Sequence, residues 1–208
     1  MKLSVQIKTK YELGDVLHMT DISNLDSIFA SKVILSKNKL AVQSKSYSDI
    51  SNESVQSNRS SKQVLATGNV VHDYVPFYWG RKTPMVAALQ NKNQDLIFLQ
   101  FSTDLLEDYE CVFCNGNAAT SDTVFKEYTG ITDLDFLDSK SINTVKYASD
   151  VNIRKAKQSE LLVHDFVGLE HLKCIICYDG SVKSRIETLK TTHRVKCAVY
   201  VNKGAYYF

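Results

Sequence analysis

The chain has 208 residues, 25 of them basic and 23 acidic, and 44% are hydrophobic. That size and composition let it bury a core of its own, which excludes a disordered tail, a collagen-like fibre and a disulfide-stapled miniprotein. No apolar run reaches the ~18 residues that a membrane span needs, and residues 1–8 lack the apolar centre of a secretory signal. These features predict one domain over residues 1–208, acting in the cytoplasm with its five cysteines reduced.

In chain order, Leu17-His18-Met19-Thr20 ends an apolar strand-like segment. Leu25, Ile28 and Phe29 then recur at helical spacing and predict a helix capped by Asn24. Ser31 to Leu35 passes from helix to strand without a glycine. Residues 44–61, rich in Ser and Asn, read as a mobile loop. Both prolines and the single Trp fall within residues 72–85, a stiff aromatic stretch that suits a core corner or a pocket wall. Thr83-Pro84 reads as an N-cap followed by proline at the first helical position. Strand-length apolar runs follow at 95–101, 110–114, 159–166, 172–178 and 195–201. Between them, Thr120 or Ser121 predicts the start of a helix carrying Val124, Phe125 and Tyr128, and Ser181 predicts the cap of a helix carrying Val182, Ile186 and Leu189. The strands cluster late and show no regular βαβ alternation. That predicts an α+β fold with a mostly antiparallel or mixed sheet.

Charge is uneven along the chain. Residues 31–65 hold six basic side chains against Asp49 and Glu53, residues 102–138 hold Lys126 against nine acids, and residues 180–208 hold six basic side chains against Glu187. This fits either a polyanion-binding side opposite an acidic one or plain solvated faces. The pairs Cys111/Cys114 and Cys174/Cys177 have C-x-x-C spacing, but each lies in an apolar strand-like run, where positions three apart face opposite ways. Buried, inert cysteines are expected there and no metal. No P-loop, G-x-G-x-x-G or G-x-S-x-G motif occurs.

Two subtler constellations remain. His18 and Thr20, two apart on a strand, share a side and can hydrogen-bond a ribose or an amide. Glu160, Leu162 and His164 share another strand face, and a carboxylate in line with buried residues needs a partner or a task. Arg154-Lys155-Ala156-Lys157 is a basic run just upstream. Taken singly, each has a bland reading: a satisfied core His18, an edge-strand Glu160, a solvated Arg154. Taken in order, with Asp73-Tyr74-Val75-Pro76-Phe77-Tyr78, Cys114-Asn115-Gly116-Asn117-Ala118-Ala119, residues 158–163 and Tyr206-Tyr207-Phe208, the set resembles the DarT family of DNA ADP-ribosyltransferase toxins nearly end to end.

The resemblance implies an ADP-ribosyltransferase-like α+β fold, a split mixed sheet with flanking helices that grips NAD in a central cleft. It implies NAD as co-substrate and transfer of ADP-ribose to a base of single-stranded DNA, most readily thymine, with release of nicotinamide. The same chemistry on guanine, RNA or protein is the alternative, and a catalytically idle single-stranded-DNA-binding module is another. By the same resemblance Glu160 is the catalytic glutamate. Arg59 contacts NAD near the reacting centre and is a candidate for helping remove the acceptor base's proton. His18, Met19, Thr20, Leu35 and Tyr74 belong to the NAD site, with His18 and Thr20 on the nicotinamide ribose and amide and Leu35 on the adenosine side. Arg154 lies near the DNA entry, with Tyr147 and Tyr128 as stacking candidates in a substrate loop over residues 115–150. A cognate antitoxin with an ADP-ribose-removing domain and a monomeric enzyme complete the expectation.

Overall fold

The structure is a computed structural model and describes residues 1–144 and 149–207. Leu3, Ile7 and Tyr11 stand four apart, so winding Leu3–Tyr11 into helix α1 sends all three into the core. Strand β1 (Val16–Asp21) follows. Helix α2 (Leu25–Ser31) then buries Leu25 and Phe29 and stops where Lys32 adopts φ 60°, which turns the chain into β2 (Val33–Leu35). A lysine thus takes the left-handed position that glycine usually fills. Asn24 makes no cap bond to α2, contrary to expectation. Its side chain instead donates to Thr20 Oγ1 (3.0 Å) and pairs reciprocally with the backbone of Ser48.

Helix α3 (Lys37–Val42) starts at a capping Ser36. The Ser- and Asn-rich stretch is not loop throughout: its second half is helix α4 (Glu53–Ser61). Asn52 Oδ1 accepts from Ser54 N at 2.9 Å, and Arg59 in the last turn is anchored in the interior. Such residues favour turns when nothing else holds them, and here cap and anchor outweigh that preference. A short hairpin of β3 (Gln63–Val64) and β4 (Asn69–Val70) leads into β5 (Tyr74–Tyr78), and Thr83 caps α5 (Pro84–Ala88) as expected.

Beyond it come β6 (Leu96–Phe101), β7 (Cys111–Cys114) and β8 (Phe125–Glu127). The helix expected from Thr120 or Ser121 is this strand instead. Asn115 Oδ1 takes the Val124 N–H and Thr123 Oγ1 donates to Asn117 O, which folds residues 115–124 into a turn and lays Phe125 against Cys114. Helices α6 (Ser139–Asn143) and α7 (Val151–Ala156) precede β9 (Glu160–His164). The run expected as one strand to residue 166 breaks at Asp165 (φ 61°), and β10 (Phe166–Gly168) leaves to pair with β2. The chain ends with β11 (Leu172–Cys177), α8 (Gly180–His193) and β12 (Ala198–Val201). Asp179, not Ser181, caps α8, accepting from Ser181 N and Val182 N.

Eight strands form one sheet in the order β12-β11-β6-β1-β5-β9-β7-β8, antiparallel except for β11 beside β12. β1 pairs with β6 along its whole length, and β5 likewise with β9. Between β1 and β5 only Leu17 and Tyr78 are in register. The sheet is therefore two well-laddered halves joined at one point, and from there the two central strands part. Tyr206 ties the C-terminal segment across one half, its one hydroxyl hydrogen shared between Leu96 O at 3.0 Å and Ile176 O at 3.2 Å. The C-x-x-C pairs behave as strand alternation dictates: Cys111 and Cys177 pack into one apolar cluster, Cys114 and Cys174 into two others. Among the described residues no group of three or more His, Cys, Asp or Glu side chains is placed to hold a metal.

Candidate active site

A cleft of about 610 Å³ opens where β1 and β5 part. At its base is an ion pair. Glu160, first residue of β9, is 1% exposed, and Arg59 of α4 is 8% exposed. Arg59 Nη1 donates to Glu160 Oε1 at 2.9 Å and Nη2 to Oε2 at 2.8 Å, a bidentate fork. Ala118 N adds a third donor to Oε1 at 3.2 Å. Burial alone would lower the Arg59 pKa, but the facing carboxylate overrides it and raises the value above normal. Arg59 therefore stays protonated, and with Oε1 accepting twice and Oε2 once, Oε2 keeps a lone pair for a ligand.

His18 stands across the cleft from this pair. Its Nδ1 lies 3.0 Å from Pro76 O. A carbonyl only accepts, so Nδ1 carries the hydrogen. Desolvation lowers the His18 pKa to about 4, opposed by that hydrogen bond. The ring is therefore neutral near pH 7 and keeps Nε2 as an acceptor. Thr20 Oγ1 already accepts from Asn24, which leaves its own hydrogen to donate. An acceptor and a donor on one wall, facing a buried carboxylate on the other, match a ribose hydroxyl pair and a carboxamide better than an apolar ligand.

Met19, Leu35 and Tyr74 also line the cleft. Met19 mainly packs into the core behind β1, and the Tyr74 hydroxyl is engaged by Thr67 Oγ1 (2.6 Å) and Asn69 Nδ2 (3.2 Å). Both are walls more than ligands. Arg154 sits exposed on α7 and does not line the cleft. Tyr128 departs from its expected place in the acceptor path: its ring packs on Phe113, 5.6 Å between centroids, against the core face of β7, whereas Glu160 shares the opposite face with Cys114. Tyr147 lies outside the described residues.

Several lining groups escaped the sequence. Tyr78, the cross-strand partner of Glu160, is raised in pKa by burial and by that carboxylate. Gln158 and Asn117 sit beside the ion pair. Lys37 and Asp49 form a 2.5 Å salt bridge at the rim, which with the Asn24–Ser48 pair holds residues 48–49 over the cleft. The Asn115-Gly116-Asn117 turn was a visible signal, but a backbone N–H such as that of Ala118 leaves no mark in a sequence.

The family profile described as "ssDNA thymidine ADP-ribosyltransferase, DarT" matches residues 17–208. The chain belongs to the DarT family. It is 26% identical over 186 residues to a DNA ADP-ribosyl transferase of Thermus aquaticus, covering 84% of this chain and 79% of that one. A DNA ADP-ribosyl transferase of Escherichia coli O127:H6 is 25% identical over 181 residues, covering 80% and 82%. Among solved structures, Thermus sp. 2.9 DarT in complex with ADP-ribosylated ssDNA superposes with a TM-score of 0.85 at 23% identity, covering 94% of this chain and 97% of that one. The same protein in complex with NAD+ gives 0.79 at 22% identity, covering 93% and 97%. The split sheet is thus the DarT fold, α+β with flanking helices.

Proposed function

We propose that this DarT-family protein transfers ADP-ribose from NAD to thymine in single-stranded DNA and releases nicotinamide. The observation that carries the reading is the buried Glu160–Arg59 fork facing His18 and Thr20 across a cleft large enough for a dinucleotide. NAD supplies an electrophilic anomeric carbon once nicotinamide leaves with the bonding electron pair. Glu160 would hold the 2′-hydroxyl of the nicotinamide ribose and stabilise the positive charge developing beside it. His18 Nε2 and the Thr20 hydroxyl would fix the ribose and carboxamide, and Leu35 would face the adenosine side. Arg59 holds the carboxylate by two bonds and stays protonated, which argues against its taking the acceptor base's proton. Glu160 Oε2, which accepts only from Arg59 among the described residues, is the better acceptor for it. Arg154 remains a candidate contact for the DNA outside the cleft.

By kinship with the DarT toxins, the protein acts as a toxin held in check by an antitoxin that removes ADP-ribose. The DarTG of Thermosipho africanus in complex with ADP-ribose superposes on 93% of this chain and on 51% of its own length, with a TM-score of 0.76. We extend the reading to a single catalytic domain that works as a cytoplasmic monomer. Among the described residues no helix is long and apolar enough to cross a membrane.

The test is intact-mass analysis after incubation with NAD and single-stranded oligonucleotides that each carry one type of target base. A gain of one ADP-ribose on the thymine oligonucleotide, lost in Glu160→Gln, is expected. A gain on guanine, RNA or protein alone would move the acceptor, and NAD left unconsumed with every acceptor would sink the enzyme reading.

A further inference from the structure

The Glu160 carboxylate is held by one symmetric grip and one asymmetric contact. Arg59 gives an N–H to each oxygen, at 2.9 and 2.8 Å, so the fork alone treats Oε1 and Oε2 alike. Ala118 N, 3.2 Å from Oε1, breaks that symmetry. Ala118 belongs to the turn between β7 and β8, 42 positions before Glu160. Whatever holds that turn therefore decides which carboxylate oxygen stays open to a ligand.

The turn is built around one backbone carbonyl. Asn117 O accepts from Thr123 Oγ1 at 2.7 Å, and from Oγ1 and N of Thr120, each at 3.0 Å. The two hydroxyls are 2.7 Å apart, so the hydrogen of Thr120 is shared between Thr123 Oγ1 and the carbonyl. Thr123 is buried, as is Ala118, and neither threonine lines the cleft. Gly116 lets α7 close on the turn: a Cβ there would stand 3.1 Å from Lys155 Cγ and 3.2 Å from Thr123 Oγ1. The gripped carbonyl and the Ala118 N–H are the two ends of one peptide unit. Such a unit is planar and, here, trans, so its C=O and N–H point opposite ways, and fixing one end aims the other.

We propose that Thr120 and Thr123 are positioning residues for the transfer: by gripping Asn117 O they aim Ala118 N–H at Glu160 Oε1 and so reserve Oε2 for the reacting ribose. The proposal rests on the transferase reading above. Neither hydroxyl touches substrate; both act through the peptide unit between residues 117 and 118. Without them Asn117 O keeps only Thr120 N among the described residues, and the unit is free to rock. Oε1 then loses its second donor, and the carboxylate offers the ribose two equivalent oxygens in place of one.

The test compares three variants with the unaltered protein. Thr120→Val/Thr123→Val keeps the side-chain shapes and removes both hydroxyls, Thr120→Ser/Thr123→Ser restores them, and Ser121→Ala trims an exposed hydroxyl from the same turn. Amide hydrogen exchange at Ala118 is measured beside steady-state transfer to a thymine oligonucleotide. The valine pair should speed Ala118 exchange and lower kcat, each by about tenfold or more, with the KM for NAD within about twofold, since a small misplacement of a reacting group is felt in the chemical step. The serine pair should recover both readouts, and Ser121→Ala should move neither. Melting temperature reports whether the fold is intact, and Thr123→Val alone replaces the valine pair if that one unfolds. An unchanged kcat or unchanged Ala118 exchange in the folded valine variant overturns the role. So does a KM for NAD that rises as kcat falls, or a loss that serine does not repair, because either marks a merely structural part. If Ala118 exchange follows the hydroxyls but the unaltered protein transfers ADP-ribose to no acceptor, what fails is the reading on which the role rests.

Discussion

Glu160 and Arg59 depend on each other more than either depends on the rest of the core. Each buries a full charge, and each charge is met by the other. Removing one partner strands the other, which typically costs about 3–5 kcal/mol. Arg59→Ala should therefore lower the melting temperature markedly as well as abolish transfer, and thermal melting beside an NAD-turnover assay reads both. Glu160→Gln keeps the shape and one acceptor oxygen but leaves the Arg59 charge unmatched, so it too should melt lower. We expect it to stay folded and to lose at least about 10²-fold in transfer rate, the scale for removing one preorganised electrostatic contact. Near-full transfer by Glu160→Gln would mean that Glu160 serves the fold more than the reaction.

At the scale of elements, α4 matters because it carries Arg59 into the cleft, and its start depends on Asn52. Asn52→Ala should cost about 1 kcal/mol locally. The expected signs are faster amide hydrogen exchange over residues 53–61 and a raised KM for NAD with the remaining core protected. Helix α1 ends with Glu12 at φ 56°, a conformation that suits glycine. Glu12→Gly relieves that strain and should stabilise the protein by roughly 0.5–1 kcal/mol, read as a rise in denaturation midpoint. The same elements show why some spacings deceive. Residues 120–128 carry helical spacing, yet side-chain bonds from Asn115 and Thr123 to backbone turn them into a hairpin against β7.

The whole molecule makes its cleft by letting two half-sheets part beyond one residue pair, so the site's polar groups are buried on both sides. One consequence is a pH dependence of stability. His18 titrates near 4 in the fold because of desolvation, against about 6.5 in the unfolded chain. His72 is also lowered to about 4, by burial and then by Lys37 and Arg59. Between those limits the unfolded state binds more protons, so stability is complete above about pH 6.5 and falls as pH drops toward 4. Denaturation midpoints across that window should show the loss, and His18→Gln should make it shallower, leaving the share that His72 carries. A midpoint that rises on acidification would show that His18 gains a proton on folding.

Alternation and spacing alone placed most of the strands, the mixed sheet, the capped helix at Thr83 and the inert cysteines, because period-2 burial and local capping are short-range rules that a sequence carries openly. Ordered motifs likewise pointed to His18, Thr20, Arg59 and Glu160. What only the tertiary structure decided is where those residues meet. Glu160 and Arg59 are 101 positions apart, and no local rule sets a bidentate fork at 2.8–2.9 Å. Helix α4 forms where composition favours a loop because its arginine has a buried carboxylate to reach. Tyr128 packs half-buried on Phe113, on the sheet face opposite Glu160. The cleft itself follows from the single Leu17–Tyr78 pairing, a long-range register that is the outcome of packing two half-sheets and is written in no stretch of the chain.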